Sequence, residues 1–225
     1  MELLAWVDCY PGAGDGIHAK KAKWTEGGMA ANLAQAIARL GGKVALSSVM
    51  GDDPIGDQAV DHLREAGVDV EYVFRREDLI SPVVVLMVDP ELKRAGLVLG
   101  VEQDAKLKSG EIPDALLKSS RIFFTDMQPP KTSLQVAKRA KELGLVVAYD
   151  MQMTEAHTNI PGFNKHIDRH FEITDYYFAD QENFLTWMDE RDLRAGCEKL
   201  LETHPEKTLV ITKGKKGSLI ATTAG

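Results

Sequence analysis

The run Gly27-Gly28-Met29-Ala30-Ala31-Asn32 constrains this chain more than any other stretch. It places two adjacent glycines at the mouth of an apolar helical segment that reaches Leu40 and stops at Gly41-Gly42. Paired glycines let backbone come close to a bound molecule, and Asn32 brings an amide with both donor and acceptor atoms to the start of the helix. That combination suits a polyhydroxylated ligand. The same residues also permit a plainer account, in which Gly-Gly serves helix packing and Asn32 bonds the local backbone. A second glycine-bearing run, Gly51-Asp52-Asp53-Pro54-Ile55-Gly56, follows.

Strand-like and helix-like segments alternate along the chain. Short β-branched or apolar runs at 43–49, 83–88, 122–125, 145–149, 176–179 and 208–212 read as strands. Helical patterns cover 29–40, 57–66, 132–143 and 191–201, the first three ending at glycines. Strands separated by helices of this length predict an α/β fold with a mainly parallel sheet flanked by helices. Between 70 and 101 the rhythm changes to strand, turn, strand, turn, strand, at 71–74, 82–88 and 96–101. With 3–7 these segments predict a small antiparallel sheet beside the main one, a lid formed by about 1–20 and 70–101. No repeat or long linker interrupts the chain, so 1–225 reads as one domain carrying the lid.

A formal charge of −7 gives no electrostatic reason to expect nucleic acid or an anionic membrane as partner. No stretch approaches the ~20 apolar residues of a membrane span. Cys9 and Cys197 are too few for a disulfide framework and read as reduced thiols, which makes the cytoplasm the expected compartment.

The opening run, with Ala34, Gly41, Gly51 and Gly56 at their intervals and Gly67-Val68-Asp69 ahead of the lid strands, resembles the first signature of the ribokinase-like (PfkB) carbohydrate and nucleoside kinases. The resemblance implies ATP-dependent phosphorylation of a sugar or sugar-like alcohol, with magnesium (Mg2+) bound through ATP and the lid closing over the sugar. It makes Gly27, Gly28 and Asn32 sugar contacts. Glu2 stands where many relatives place an Asp that grips two hydroxyls, and Gln128 falls near another sugar-touching strand end, although Pro129-Pro130 also allows a simple loop there. Val210-Ile211-Thr212-Lys213-Gly214-Lys215-Lys216-Gly217 is similar to the family's Thr-x-Gly-x-x-Gly turn, which borders ATP, making Thr212, Gly214 and Gly217 nucleotide-site candidates. Asp180 and Asn183 occupy the ends of the family's Asn-x-x-Glu element with the residue types reversed. They are candidates for the nucleotide site, with a helix cap by Asp180 as the other reading. No residue is assigned as a metal ligand of its own.

The family's late motif, Asp-Thr-x-Gly-Ala-Gly-Asp, supplies the base and a phosphate-receiving helix, and it does not follow Thr212. The chain is therefore expected to be truncated at both ends, with the C-terminal part of the fold missing and the base beyond Gly225. No catalytic residue is assigned within the chain. Gly12-Ala13-Gly14-Asp15 matches the tetrad in letters, but its neighbours Tyr10-Pro11 and Ile17-His18 mark it as the loop leading to the opening run. A catalytically inactive sugar-binding or regulatory protein, or a truncated gene product, is the alternative to a kinase. His166 and His170, four apart, read as exposed polar residues, and Met151 and Met153 as core or loop fillers. Unpaired strand edges in the lid predict a homodimer through it.

Overall fold

Helices that cross from one strand to the next carry the chain back to the same edge of a sheet, which makes successive strands parallel. The computed structural model describes residues 1–100, 107–151 and 163–224. Two compact units appear, Met1–Leu107 and Lys108–Gly225. Val101, the expected end of the lid, and Met153 lie outside the described residues.

The first unit runs β1 (Glu2–Trp6), β2 (Lys21–Thr25), α1 (Met29–Arg39), β3 (Ser48–Gly51), α2 (Pro54–Glu65), β4 (Val73–Arg76), β5 (Val83–Val88) and β6 (Arg94–Leu99). Its four-stranded lid sheet has the order β2-β1-β5-β6. The pairings β1 with β2 and β5 with β6 are antiparallel, whereas β1 and β5 run parallel, with Glu2 opposite Val84 and Trp6 opposite Val88. Two expectations for the lid change. The strand placed at 71–74 lies at β4 and pairs in parallel with β3, and its place in the lid is taken by β2, beyond the expected bound at residue 20. Lys21-Ala22-Lys23-Trp24 is exposed throughout, so no apolar alternation marked it as a strand.

Helix α1 lays Ala34 on Leu46, Leu63, Val68 and Val73, a small core below its Ala-rich face. Helix α2 starts three residues earlier than its apolar pattern, because Asp53 caps it and Pro54 suits the first turn. The Asp53 carboxylate accepts from Gly56 N at 2.8 Å and from Ser81 N at 2.7 Å, while Ser81 Oγ accepts from Gly51 N at 3.0 Å. Arg75 Nη2 donates to the Asp53 carbonyl at 3.1 Å and to Asp57 Oδ1 at 2.8 Å.

The second unit runs α3 (Asp114–Lys118), β7 (Ile122–Thr125), α4 (Pro130–Glu142), β8 (Val146–Asp150), α5 (Phe163–Ile173), β9 (Tyr176–Asp180), α6 (Gln181–Met188), α7 (Leu193–Thr203), β10 (Thr208–Thr212) and β11 (Ser218–Ala221). The sheet order is β11-β10-β9-β8-β7, parallel from β7 to β10 and closed by an antiparallel hairpin to β11. Tyr149, Met151, Ile167, Tyr177, Phe184, Leu209 and Ile211 are wholly buried in its core. Among the described residues, no helix is long and apolar enough to cross a membrane.

Two buried polar side chains tie helix α5 in place. Lys207 is 3% exposed, and its Nζ donates to the carbonyls of Thr174 at 2.7 Å and Glu172 at 3.1 Å, satisfying the end of α5 with a cation. His170, expected at the surface, is 1% exposed and stacks on Tyr149 with ring centroids 5.1 Å apart. Its Nδ1 lies 2.7 Å from the His166 carbonyl, which can only accept, so Nδ1 carries the proton. Nε2 then accepts from the buried Ser133 hydroxyl of α4 at 2.6 Å.

Burial pushes the His170 imidazole below its usual value of 6.5, the His166 carbonyl opposing this in part. The unfolded chain therefore binds a proton that the folded chain resists, and stability falls as pH drops below about 6.5. We expect the urea midpoint of the wild type to fall between about pH 7 and pH 5, and His170→Gln to flatten that fall. An equal fall in the variant assigns it to other groups.

Candidate functional site

The adjacent glycines at 27 and 28 differ in their surroundings. Gly28 caps α1 at φ 94°, a left-handed conformation that side chains resist, yet a Cβ there would meet only Ala31 Cβ at 3.8 Å. Gly27 has ordinary backbone but no room: a Cβ would stand 2.3 Å from Glu2 Cγ and 2.5 Å from its Oε1. The structure thus brings Glu2, Gly27 and Gly28 together. Asn32 lies on the first turn of α1, donates its own N–H to Gly28 O at 2.8 Å and presents an exposed side chain. That turn has no side-chain cap and no acidic residue, so its leading amides retain donor capacity.

Gly27 and Gly28 also border a cavity of about 230 Å³ that Asn32 does not line. Glu26, which the sequence gave no reason to single out beyond its place beside the glycines, reaches the same cavity. A hydrogen bond from its own backbone amide holds its carboxyl below the ordinary range against partial burial, and His62 Nδ1 stands 3.5 Å from Oε1. Asp15 occupies an exposed turn closed by its N–H to Gly12 O at 3.1 Å, with no helix opening behind it. The tetrad Gly12-Ala13-Gly14-Asp15 is a loop, as its context implied.

In the second unit, parallel strands bring Thr125, Asp150, Asp180 and Thr212 to one edge of the sheet, the edge where open α/β sheets hold ligands. Thr212 is the Cα partner of Asp180. Beyond Thr212 the chain turns tightly, with Lys213 N donating to Gly217 O at 2.7 Å and Gly217 N to Gly214 O at 3.1 Å. Gly214 at φ 55° and Gly217 at φ 86° are left-handed with open space around them, so conformation and not crowding selects glycine.

Asp180 caps α6, accepting from Asn183 N at 3.0 Å, and it also accepts from the Asn183 side-chain amide. These two candidates are therefore partners of each other. Gln128 is exposed on the loop after β7, where its N–H donates to Asp126 Oδ1 at 3.1 Å. Its neighbour Met127 is wholly buried at φ 70°, and Tyr149 donates its hydroxyl to Met127 Sδ at 3.2 Å. Nothing in the residue type of Met127 signals that strained backbone. Among the described residues, no group of three or more His, Cys, Asp or Glu side chains is placed to hold a metal ion.

The family model for pfkB family carbohydrate kinases matches residues 4–225. The chain belongs to this family. It is 24% identical over 227 residues to a nucleoside kinase of Methanothermobacter thermautotrophicus, an alignment covering 98% of this chain and 69% of the relative. Against a fructokinase of Vibrio alginolyticus it is 25% identical over 201 residues, covering 85% of this chain and 64% of the relative. The chain thus spans about two-thirds of the length of these relatives. An Arabidopsis thaliana ribokinase complexed with ribose and ATP shares the fold at a TM-score of 0.81 and 19% identity, covering all of this chain and 72% of that one.

The crowding at Gly27 gives a direct test of the packed arrangement. Gly27→Ala is expected to push the half-buried Glu2 side chain aside at a cost of about 1 kcal/mol or less, since the Cβ meets flexible side chain and not backbone. Glu2→Ala in the same chain should recover most of that loss in thermal denaturation. Additive effects of the two changes would show that Glu2 does not rest on Gly27.

Proposed function

We propose that this chain forms the sugar-holding and part of the nucleotide-holding surfaces of a kinase that moves the γ-phosphoryl group of ATP to a hydroxyl of a sugar or sugar-like alcohol. The left-handed Gly28 at the uncapped start of α1, beside Glu2 and Asn32, carries this reading. In it, Gly27 and Gly28 let the substrate approach backbone donors, while Glu2 and the Asn32 amide bond its hydroxyls. Gln128, exposed on the loop after β7, remains a separate substrate-contact candidate of the second unit. Thr212 and the turn at Gly214 and Gly217 offer polar backbone to the nucleotide, and family membership supports ATP as that nucleotide.

In the transfer, the acceptor oxygen attacks the γ-phosphorus, the bond to the β–γ bridging oxygen breaks, ADP leaves and the hydroxyl proton passes to a base. Mg2+ in such a site takes most of its ligands from phosphate oxygens and water. At the strand edge of the second unit, Asp180, at the end of β9, and the nearby Glu182 are the carboxylates that would support the ion. No residue of this chain is given the role of base, since Asp15 lies in an exposed turn. A sugar-binding protein without turnover is the second reading. The free thiols Cys9 and Cys197 fit a reducing, cytoplasmic compartment.

Calorimetry with a panel of ketoses, aldoses and sugar alcohols is expected to find a binder, and Asn32→Ala to weaken it by about 1–3 kcal/mol. With ATP and Mg2+ present, ADP release should stay near background for wild type and Asp15→Asn alike. Absence of any sugar binding, or unchanged affinity in Asn32→Ala, overturns the site. Robust turnover abolished by Asp15→Asn overturns the proposed inactivity.

We also propose that two copies pair through the lid. The sheet's edges differ: β2 carries exposed Lys21 and Lys23, which discourage strand addition, whereas β6 exposes Leu97, Val98 and Leu99. Light scattering should therefore give twice the chain mass, and Val98→Lys should return it to that of one chain. A wild-type monomer at high micromolar concentration sinks the pairing.

A further inference from the structure

We infer that Glu26 and Gln35 form an acceptor and donor pair for one substrate hydroxyl, held in place from behind by His62 and Arg39. The inference rests on the reading of Gly27-Gly28 as sugar-contacting backbone. Val49 of β3, Ala59 and Leu63 of α2 and Val73 of β4 make the walls of the cavity of about 230 Å³ beside those glycines largely apolar. A hydroxyl brought against such walls loses its water, so it enters only where replacement bonds are ready. The polar side chains that border the cavity are Glu26, Gln35 and Ser48. The terminal ammonium of Met1 reaches it too, but donates to the Pro82 carbonyl at 3.2 Å; burial lowers its pKa and the charge of Glu2 opposes that shift.

Glu26 and Gln35 are each engaged on the side away from the cavity. A second pocket, polar throughout, is lined by Glu26, Arg39, His62, Glu65 and Ala66, so the Glu26 side chain borders both spaces. Arg39, in the last turn of α1, donates from Nη2 to Gln35 Oε1 at 3.2 Å. Gln35 is 4% exposed, and with its oxygen engaged the amide hydrogens are left to donate. On the other side, His62 Nδ1 of α2 stands 3.5 Å from Glu26 Oε1. The backbone amide of Glu26 does most to keep its carboxyl ionised, with His62, the Thr25 hydroxyl and Arg39 adding to it against partial burial. An ionised carboxylate only accepts, whereas a hydroxyl both donates and accepts. One substrate hydroxyl can therefore donate to Glu26 and accept from Gln35, and the charge on Glu26 makes its bond about twice as strong as a neutral one. Neither His62 nor Arg39 lines the cavity, so both are positioning residues that act through the side chains they hold.

Calorimetry on the full chain with fructose, ribose and sorbitol tests this. Glu26→Gln and Gln35→Leu should each weaken the tightest of the three by about tenfold, the loss of one buried hydrogen bond. Glu26 is half-buried, so Glu26→Gln carries the test if Gln35→Leu fails to fold. Arg39→Met and His62→Leu should each weaken binding by about threefold, and should cost nothing further in a chain already lacking the side chain that each one holds. A general loosening of α1 or α2 would instead add in both backgrounds. Arg39→Lys keeps a cation within reach of Gln35 and should recover most of what Arg39→Met loses. Equal losses in those two variants overturn the positioning role of Arg39. A sugar whose affinity Glu26→Gln or a folded Gln35→Leu leaves within about twofold overturns the pair and spares the glycine contacts. Failure of all three to bind overturns both.

Discussion

The carboxylate of Asp53 is the point on which the first unit depends. One oxygen accepts from Gly56 N and begins α2, and the other accepts from Ser81 N, just before the chain becomes lid strand β5. Burial raises its pKa, but the Ser81 and Gly56 amides outweigh that and hold the carboxyl below the usual range. The approach is close enough to exclude side chains. A Cβ at Gly51 would meet Leu79 O at 2.2 Å, and one at Gly56 would meet Gly51 O at 2.3 Å. The end of β3, the start of α2 and the beginning of β5 are thus fixed to one another, and those elements supply walls of the cavity beside Gly27 and Gly28.

Glycines that look equivalent in a sequence separate here into two physical classes. Gly28, Gly214 and Gly217 answer to conformation, because their surroundings would admit a Cβ that their φ angles resist. Gly27, Gly51 and Gly56 answer to space. Family spacing flags both classes alike. The second class reports contacts within the protein, and Gly51 and Gly56 contribute to the site through rigidity alone.

Much of the fold was legible because its signals are local. The apolar runs at 83–88, 122–125 and 208–212 become strands at those bounds, and α1 stops where Gly41 ends the apolar pattern. Strand β2 was not legible, since an exposed edge strand with alternating lysines imposes no apolar period. His170 was misplaced at the surface because a spacing of four residues on one helix says nothing of Ser133 on another. Residue types were enough to anticipate that Asp180 caps α6. They could not show that Glu2 rests on Gly27 or that Asp180 and Asn183 bind each other, since both depend on distances that chain order does not contain.

Lys207 has a consequence for the chemistry of the whole chain. Its amine is enclosed by helix carbonyls and lies 4.8 Å from the centre of the Phe171 ring, and burial lowers its pKa while Glu206 opposes the shift. An acylating reagent that decorates surface lysines reaches this nitrogen only when the end of α5 comes away from β10. The rate at which Lys207 acquires an acyl group is therefore a clock for local opening in the second unit, read by mass spectrometry against the fast background of exposed amines.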